Sequence, residues 1–174
     1  MNSQKDLLVI TASNGENLKL AEKFIESGNH LGISSSLIDL TAFDIPLFNP
    51  RENSNNNFPE TIKNLSKKMI AAPRWVICAP EYNGSIPPIL TNTIAWLSIE
   101  EQDFRMLFNG RPIALASFSG GGCMEVLISM RIQLTHLGAQ VVGRQLASNK
   151  NQPAKAESIE SLLKLLIQLK PLSL

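Results

Sequence analysis

The feature that most limits the fold of this chain is a repeated alternation. A short unbroken apolar run leads into a polar or glycine-rich turn, and the turn leads into apolar residues at helical spacing. Residues 6–11 (Asp-Leu-Leu-Val-Ile-Thr), 74–79 (Arg-Trp-Val-Ile-Cys-Ala) and 112–117 (Pro-Ile-Ala-Leu-Ala-Ser) are runs of this kind. A strand covered on both faces needs such a run, whereas a half-exposed strand alternates. Residues 33–40, diluted by Ser34, Ser35 and Ser36, predict a strand near the sheet edge, and residues 139–142 predict a short fifth strand.

Helices separate the runs. Leu18, Leu20, Ala21, Phe24 and Ile25 recur at helical spacing after the first. Residues 60–72 place Ile62, Leu65, Met69 and Ile70 on one face and Lys63, Lys67 and Lys68 on the other, and Pro73 ends that helix. Residues 88–97 predict a helix with Pro88 in its first turn. Residues 124–137 predict another, stopped by Gly138. Residues 159–169 are strongly apolar, but Lys164 and Lys170 interrupt them, which suits packing on a sheet.

Five strands alternating with helices predict an α/β, flavodoxin-like three-layer sandwich, with a five-stranded parallel sheet of order 2-1-3-4-5 and helices on both faces. The 174 residues suit a single domain spanning 1–174, without internal repeats. A net charge of +1 lacks the concentrated basic field that binds nucleic acid or anionic lipid. No window is apolar enough to span a bilayer. Residues 1–8 lack a basic region followed by an apolar one, so no secretory signal is expected. The two cysteines, Cys78 and Cys123, have no metal-ligand spacing and suit a cytoplasmic chain with reduced thiols.

In the 2-1-3-4-5 order, strands 1, 3 and 4 are neighbours, and ligands of open α/β sheets bind at their C-terminal ends. Three unusual loops lie there. Ser13, Asn14, Gly15 and Asn17 form a polar turn before a helix. Unpaired backbone N–H groups and the helix dipole favour an anion at such a place, and a phosphate fits. The plainer reading is N-capping by Ser13 or Asn14, with Glu16 placed for the dipole. In the 80–85 loop, Pro80, Pro87 and Pro88 restrict the backbone, and Asn83-Gly84 is a turn pair that tolerates positive φ. Tyr82 adds an aromatic face or a hydroxyl. The plainer reading is an ordinary strand-to-helix turn. Gly120, Gly121 and Gly122 remove side chains from a surface against which a planar ring could lie, or form a flexible link. The 41–59 loop, with three prolines and with Asn53, Asn55, Asn56 and Asn57, is long enough to suggest a functional element that shapes access to a ring.

The chain resembles the NADPH-dependent FMN reductase family, flavodoxin-like proteins that include azo-dye and quinone reductases. The motif Pro80-Glu81-Tyr82-Asn83-Gly84-Ser85-Ile86-Pro87 carries the likeness, continued by Leu90, Asn92, Ile94, Trp96 and Ser98. Ser117-Phe118-Ser119-Gly120-Gly121-Gly122 with Met130-Arg131 is a second match, and Ile38-Asp39-Leu40 with Ile45-Pro46-Leu47 a third. One stretch departs from the family. Its first loop usually carries a Gly-Ser pair, an arginine and a second serine before the asparagine, whereas residues 11–17 here are shorter and contain no arginine.

The resemblance implies FMN as cofactor, with NADPH or NADH as reductant. It places the phosphate at Ser13, Asn17 and Leu18, and the ring at Pro80, Glu81, Tyr82, Asn83 and Gly84. Ser117, Ser119, Gly120 and Gly121 would line the other side. The implied activity is hydride transfer from nicotinamide to flavin and on to a quinone, azo compound, metal oxyanion or free flavin. The flavin supplies this chemistry, and no catalytic side chain is expected. The implied partners are a small-molecule acceptor and a second copy of the chain, in a homodimer or homotetramer. The alternatives are an electron-transfer flavodoxin-like shuttle and a flavin-binding protein without useful turnover. The weak net charge speaks against the shuttle, since charge steers such encounters.

Overall fold

The computed structural model describes residues 6–53, 58–99 and 103–171. Each long apolar run is a strand: β1 (Leu7–Thr11), β3 (Arg74–Cys78) and β4 (Pro112–Phe118). β2 (Ser35–Asp39) is the serine-diluted one. The helices are α1 (Glu16–His30), a short α2 (Pro50–Asn53), α3 (Glu60–Ile70), α4 (Pro88–Leu97), α5 (Met124–His136) and α6 (Ala156–Gln168). Gly138 follows α5 with φ +88°, the left-handed stop expected of it. Among the described residues no helix is long and apolar enough to cross a membrane.

The sheet is parallel and runs β2-β1-β3-β4, with Leu8 level with Ser36, Trp75 and, through β3, Ile113. β2 is the edge strand, and its Leu37 is partly exposed. Alternate residues face two cores. Leu8, Ile10, Trp75, Ile77, Ile113 and Leu115 pack against α3, α4 and α5. Leu7, Val9, Val76, Cys78, Ala114 and Ala116 pack against α1 and α6. Each fully buried Leu, Ile or Val side chain among them contributes about 2 kcal/mol.

The expected order 2-1-3-4-5 is present, with its short fifth strand inside residues 139–142, and among the described residues the sheet gains a sixth strand beyond the five expected. β5 is Gln140–Val141 beside the start of β4, and β6 is Leu146–Ser148 beside its end. The Val142 N–H still bonds to the Ile113 carbonyl (2.9 Å), and the chain leaves the ladder at residues 143–145. Arg131 holds that break: its guanidinium donates to the carbonyls of Val141 (3.5 Å), Val142 (2.8 Å) and Gly143 (3.4 Å) and to Gln145 Oε1 (3.1 Å). Segments of two and three residues are too short to show a period, so Gly143-Arg144-Gln145 reads locally as a plain turn.

Near the N-terminal end of the central strand β3, Trp75 is fully buried and anchors the end of α3. Its indole N–H is shared between the carbonyls of Met69 and Ala72, both at 3.2 Å. The Arg111 guanidinium lies 4.4 Å above its ring and also donates to Ala72. Burial lowers Arg111 to about 10, which leaves it charged at neutral pH.

Candidate functional site

β1, β3 and β4 are parallel neighbours, so their C-terminal loops emerge side by side. β6 adds a fourth, beginning after Ser148, whose carbonyl accepts the Ser119 N–H at 3.1 Å. That loop belongs to the half-strand that periodicity does not reveal.

The first turn is braced from below. Thr11 is fully buried, and its hydroxyl donates to the Ser13 carbonyl at 2.8 Å. It is therefore not a free donor to a ligand. Neither Ser13 nor Asn14 caps α1: the N-cap is Gly15, without a side-chain bond to the first turn. The donors there are left to solvent or an anion, and open space lies beside Gly15. Glu16 turns to Lys19 (2.7 Å), and that bond lowers the Glu16 carboxyl and raises the Lys19 amine from their usual values. Leu18 is half-buried. Asn17 is buried, and its carboxamide is committed elsewhere: Nδ2 donates to the Phe118 carbonyl (2.9 Å) and Oδ1 accepts the Phe118 N–H (2.8 Å). Its backbone remains at the turn, but its side chain does not face a phosphate.

The second loop begins where the β3 ladder stops. Ala79 N–H still bonds to the Ala116 carbonyl (3.1 Å), the last bond of β3 to β4, and the buried Pro80 follows. Tyr82 and Ser85 then exchange two backbone bonds of 3.1 and 3.0 Å around Asn83 (φ 52°) and Gly84 (φ 68°). Two left-handed central residues are what an Asn-Gly turn supplies. Tyr82 is half exposed at the tip.

Glu81 does something that local sequence does not signal. Its carboxylate accepts the Val126 N–H (3.3 Å) in the first turn of α5. The N-cap of that helix, Cys123 (φ 62°), provides no side-chain cap, so Glu81 caps it from another loop. The first turn of α5 thus takes a carboxylate from another loop, whereas the acidic group in the first turn of α1, Glu16, is turned to Lys19.

In the third turn, Ser117 is fully buried, and its hydroxyl has no partner among the described residues. Its carbonyl accepts the Ser148 hydroxyl at 2.9 Å. Ser119 Oγ accepts the Gly121 N–H at 3.3 Å. A Cβ at Gly120 or Gly122 would meet nothing within 4 Å, and one at Gly121 only Glu81 Oε1 at 3.5 Å. None of the three has positive φ. Conformation therefore does not require glycine here; its effect is to leave the backbone bare. Cys123 beneath this turn is buried, and burial pushes the Cys78 thiol up, so neither is poised as a nucleophile.

The start of the long loop is pinned by α4. Asn92 accepts the Phe48 N–H (2.7 Å) and donates to Pro46 (2.9 Å), and the Trp96 indole donates to the same carbonyl (2.8 Å). Phe48 and Phe58 pack edge-on against Trp96, which is core. Asn55, Asn56 and Asn57 lie outside the described residues.

The arrangement offers uncapped N–H donors at one end, a bare glycine backbone in the middle, and a rigid hairpin turn with an aromatic tip. That donor set fits FMN: an anion for the donors, and a flat heteroaromatic ring for exposed peptide edges.

The family model described as NADPH-dependent FMN reductase matches residues 6–153. An NADPH azoreductase of Bacillus sp. (strain OY1-2) is 32% identical over 111 residues, covering 63% of this chain and 58% of that protein. A quinone reductase of Escherichia coli (strain K12) is 31% identical over 125 residues, covering 67% of this chain and 64% of that protein. The match thus spans about three fifths of each relative's length. Among solved structures, the flavoenzyme NAD(P)H:(acceptor) oxidoreductase FerB of Paracoccus denitrificans superposes with a TM-score of 0.76 at 18% identity, covering 95% of this chain and 99% of that one.

Proposed function

Because this chain belongs to the NADPH-dependent FMN reductase family, we propose that it is an FMN-containing reductase using NADPH or NADH, with a quinone, azo compound, metal oxyanion or free flavin as acceptor. The observation that carries this reading is the uncapped N-terminus of α1 beside the open backbone at residues 120–122. The first-turn N–H groups of α1, with Ser13, hold the phosphate. The backbone of residues 80–84 and the face of Tyr82 hold the ring from one side, and residues 119–121 from the other. Glu81 and Asn17 act from behind these surfaces. A flavin held by these residues would supply the hydride chemistry between nicotinamide and acceptor. No protein group has to move a proton. His30 and His136 end α1 and α5, which start at the site and run back to the far edge of the sheet.

The purified protein mixed with FMN should turn yellow and oxidise NADPH or NADH when a quinone or azo dye is present. A protein that binds no FMN and oxidises neither nucleotide overturns the reading. One-electron exchange with a protein partner, without nicotinamide oxidation, favours the shuttle instead.

Homodimerisation is part of the same proposal. Met124, Ile128 and Ile132 form an exposed apolar stripe on α5 that begins beside the glycine turn. Light scattering should give a mass of at least two 19.1 kDa chains. A single-chain mass that persists at high protein concentration excludes the oligomer.

A further inference from the structure

We propose that Asn17 is a positioning residue that holds the glycine turn, one wall of the ring site, in place from the first turn of α1, and that it makes no contact with the phosphate itself. The inference rests on the flavin reading above.

The register of β3 with β4 ends at Cys78 opposite Ala116, with one further bond from the Ala79 N–H to the Ala116 carbonyl. Phe118, two residues further along β4, is beyond the reach of β3. On its other flank β4 still pairs with β6, level with Ser148. The Phe118 N–H and C=O that β3 no longer reaches are taken by Asn17, one bond to each. A primary amide carries a donor and an acceptor side by side, so it can stand in for one residue of a neighbouring strand. Aspartate lacks the donor, and serine is too short to bridge both groups.

The bridge joins the first turn of α1 to a residue 101 positions away that opens the glycine turn. Asn17 is buried, so both bonds are shielded from water, and leaving either partner unmatched carries a desolvation cost. The phosphate turn and the glycine turn are therefore held as one unit before any ligand arrives. Such preorganisation strengthens binding by removing the ordering cost. Its effect falls on the whole ligand, whereas a phosphate contact would act only on a ligand that has a phosphate.

That difference gives the test. FMN and riboflavin are titrated by flavin fluorescence against wild type, Asn17→Ala and Asn17→Ser, with melting curves recorded for each. Both substitutions are neutral, so they add no charge beside the phosphate. The expected result is that affinity for both flavins falls by a similar factor, about tenfold or more, with the FMN-to-riboflavin ratio unchanged. In the ligand-free wild type, the Phe118 amide should exchange slowly with deuterium, a measurement that needs no variant to fold. Loss confined to FMN would make Asn17 a phosphate contact and overturn the proposal, as would unchanged affinity for both flavins or rapid exchange at Phe118. If wild type binds neither flavin, the underlying flavin reading fails, and that outcome is distinct from failure of the bridge.

Discussion

Gly120→Leu is expected to reduce FMN affinity by about two orders of magnitude, the ~3 kcal/mol scale on which a filled site resists overpacking. The same variant should melt within about 2 °C of wild type, as surface substitutions away from special features usually do. Both halves follow from one observation. A Cβ at Gly120 meets nothing within 4 Å, and the residue has no positive φ, so the protein itself has room for the side chain. The proposed ligand would occupy that room. Gly84 is a poorer choice, because its φ of 68° strains any other residue whether or not a ring lies there. Isothermal titration and a melting curve decide the matter. Unchanged FMN affinity in a stable Gly120→Leu protein would remove the ring from this turn.

Trp75→Ala should cost about 4 kcal/mol of folding stability, a large share of the ~5–15 kcal/mol typical of a domain. The ring is fully buried, meets Phe108 edge-on at 5.8 Å and lies under Arg111. Removing it opens a cavity and withdraws a donor from the Met69 and Ala72 carbonyls at the end of α3. The effect should stay local to folding. Trp75 sits near the start of β3, at the end of the strand opposite the candidate site, so the molecules that remain folded should bind FMN with wild-type affinity. Urea denaturation gives the first quantity and titration the second. A loss below about 2 kcal/mol would show that the surroundings collapse into the space.

Much of this molecule could be read locally. Leu7 to Thr11 and Ile113 to Ala116 are unbroken apolar runs because both faces of those strands are covered, and a run needs no distant partner to be recognised. Asn83-Gly84 marked its own turn, since the left-handed conformation it adopts is a property of those two residues. Gly138 and Pro73 marked helix ends for the same reason. The serine-diluted β2 was legible as an edge, because an edge strand tolerates polar residues that a central one does not.

Other features were hidden because their signal is not local. β6 has three residues, two of them buried, and exists because the end of β4 offers it a ladder. Ser13 and Asn14 look like N-caps, yet the N-cap of α1 is Gly15, and the Thr11 hydroxyl holds the Ser13 carbonyl instead. The glycine run reads as a flexible link or as an open surface, its place after β4 favouring the second, and only its surroundings show that side chains would fit there.

The sequence by itself determined the order of the first five strands and the helices between them, the doubly covered sheet and the three loops that meet at its C-terminal end, because periodicity, proline and glycine act over a few residues. Only the tertiary structure decided what those loops do to one another. Asn17 meets Phe118 across 101 residues, and Glu81 meets Val126 across 45. Those two polar side chains resemble ligand contacts when read in their motifs. In the folded chain each satisfies a backbone group left over where a strand ladder or a helix runs out, and burial makes that satisfaction obligatory. What remains open for a ligand is the end of α1 and the bare glycines beside it.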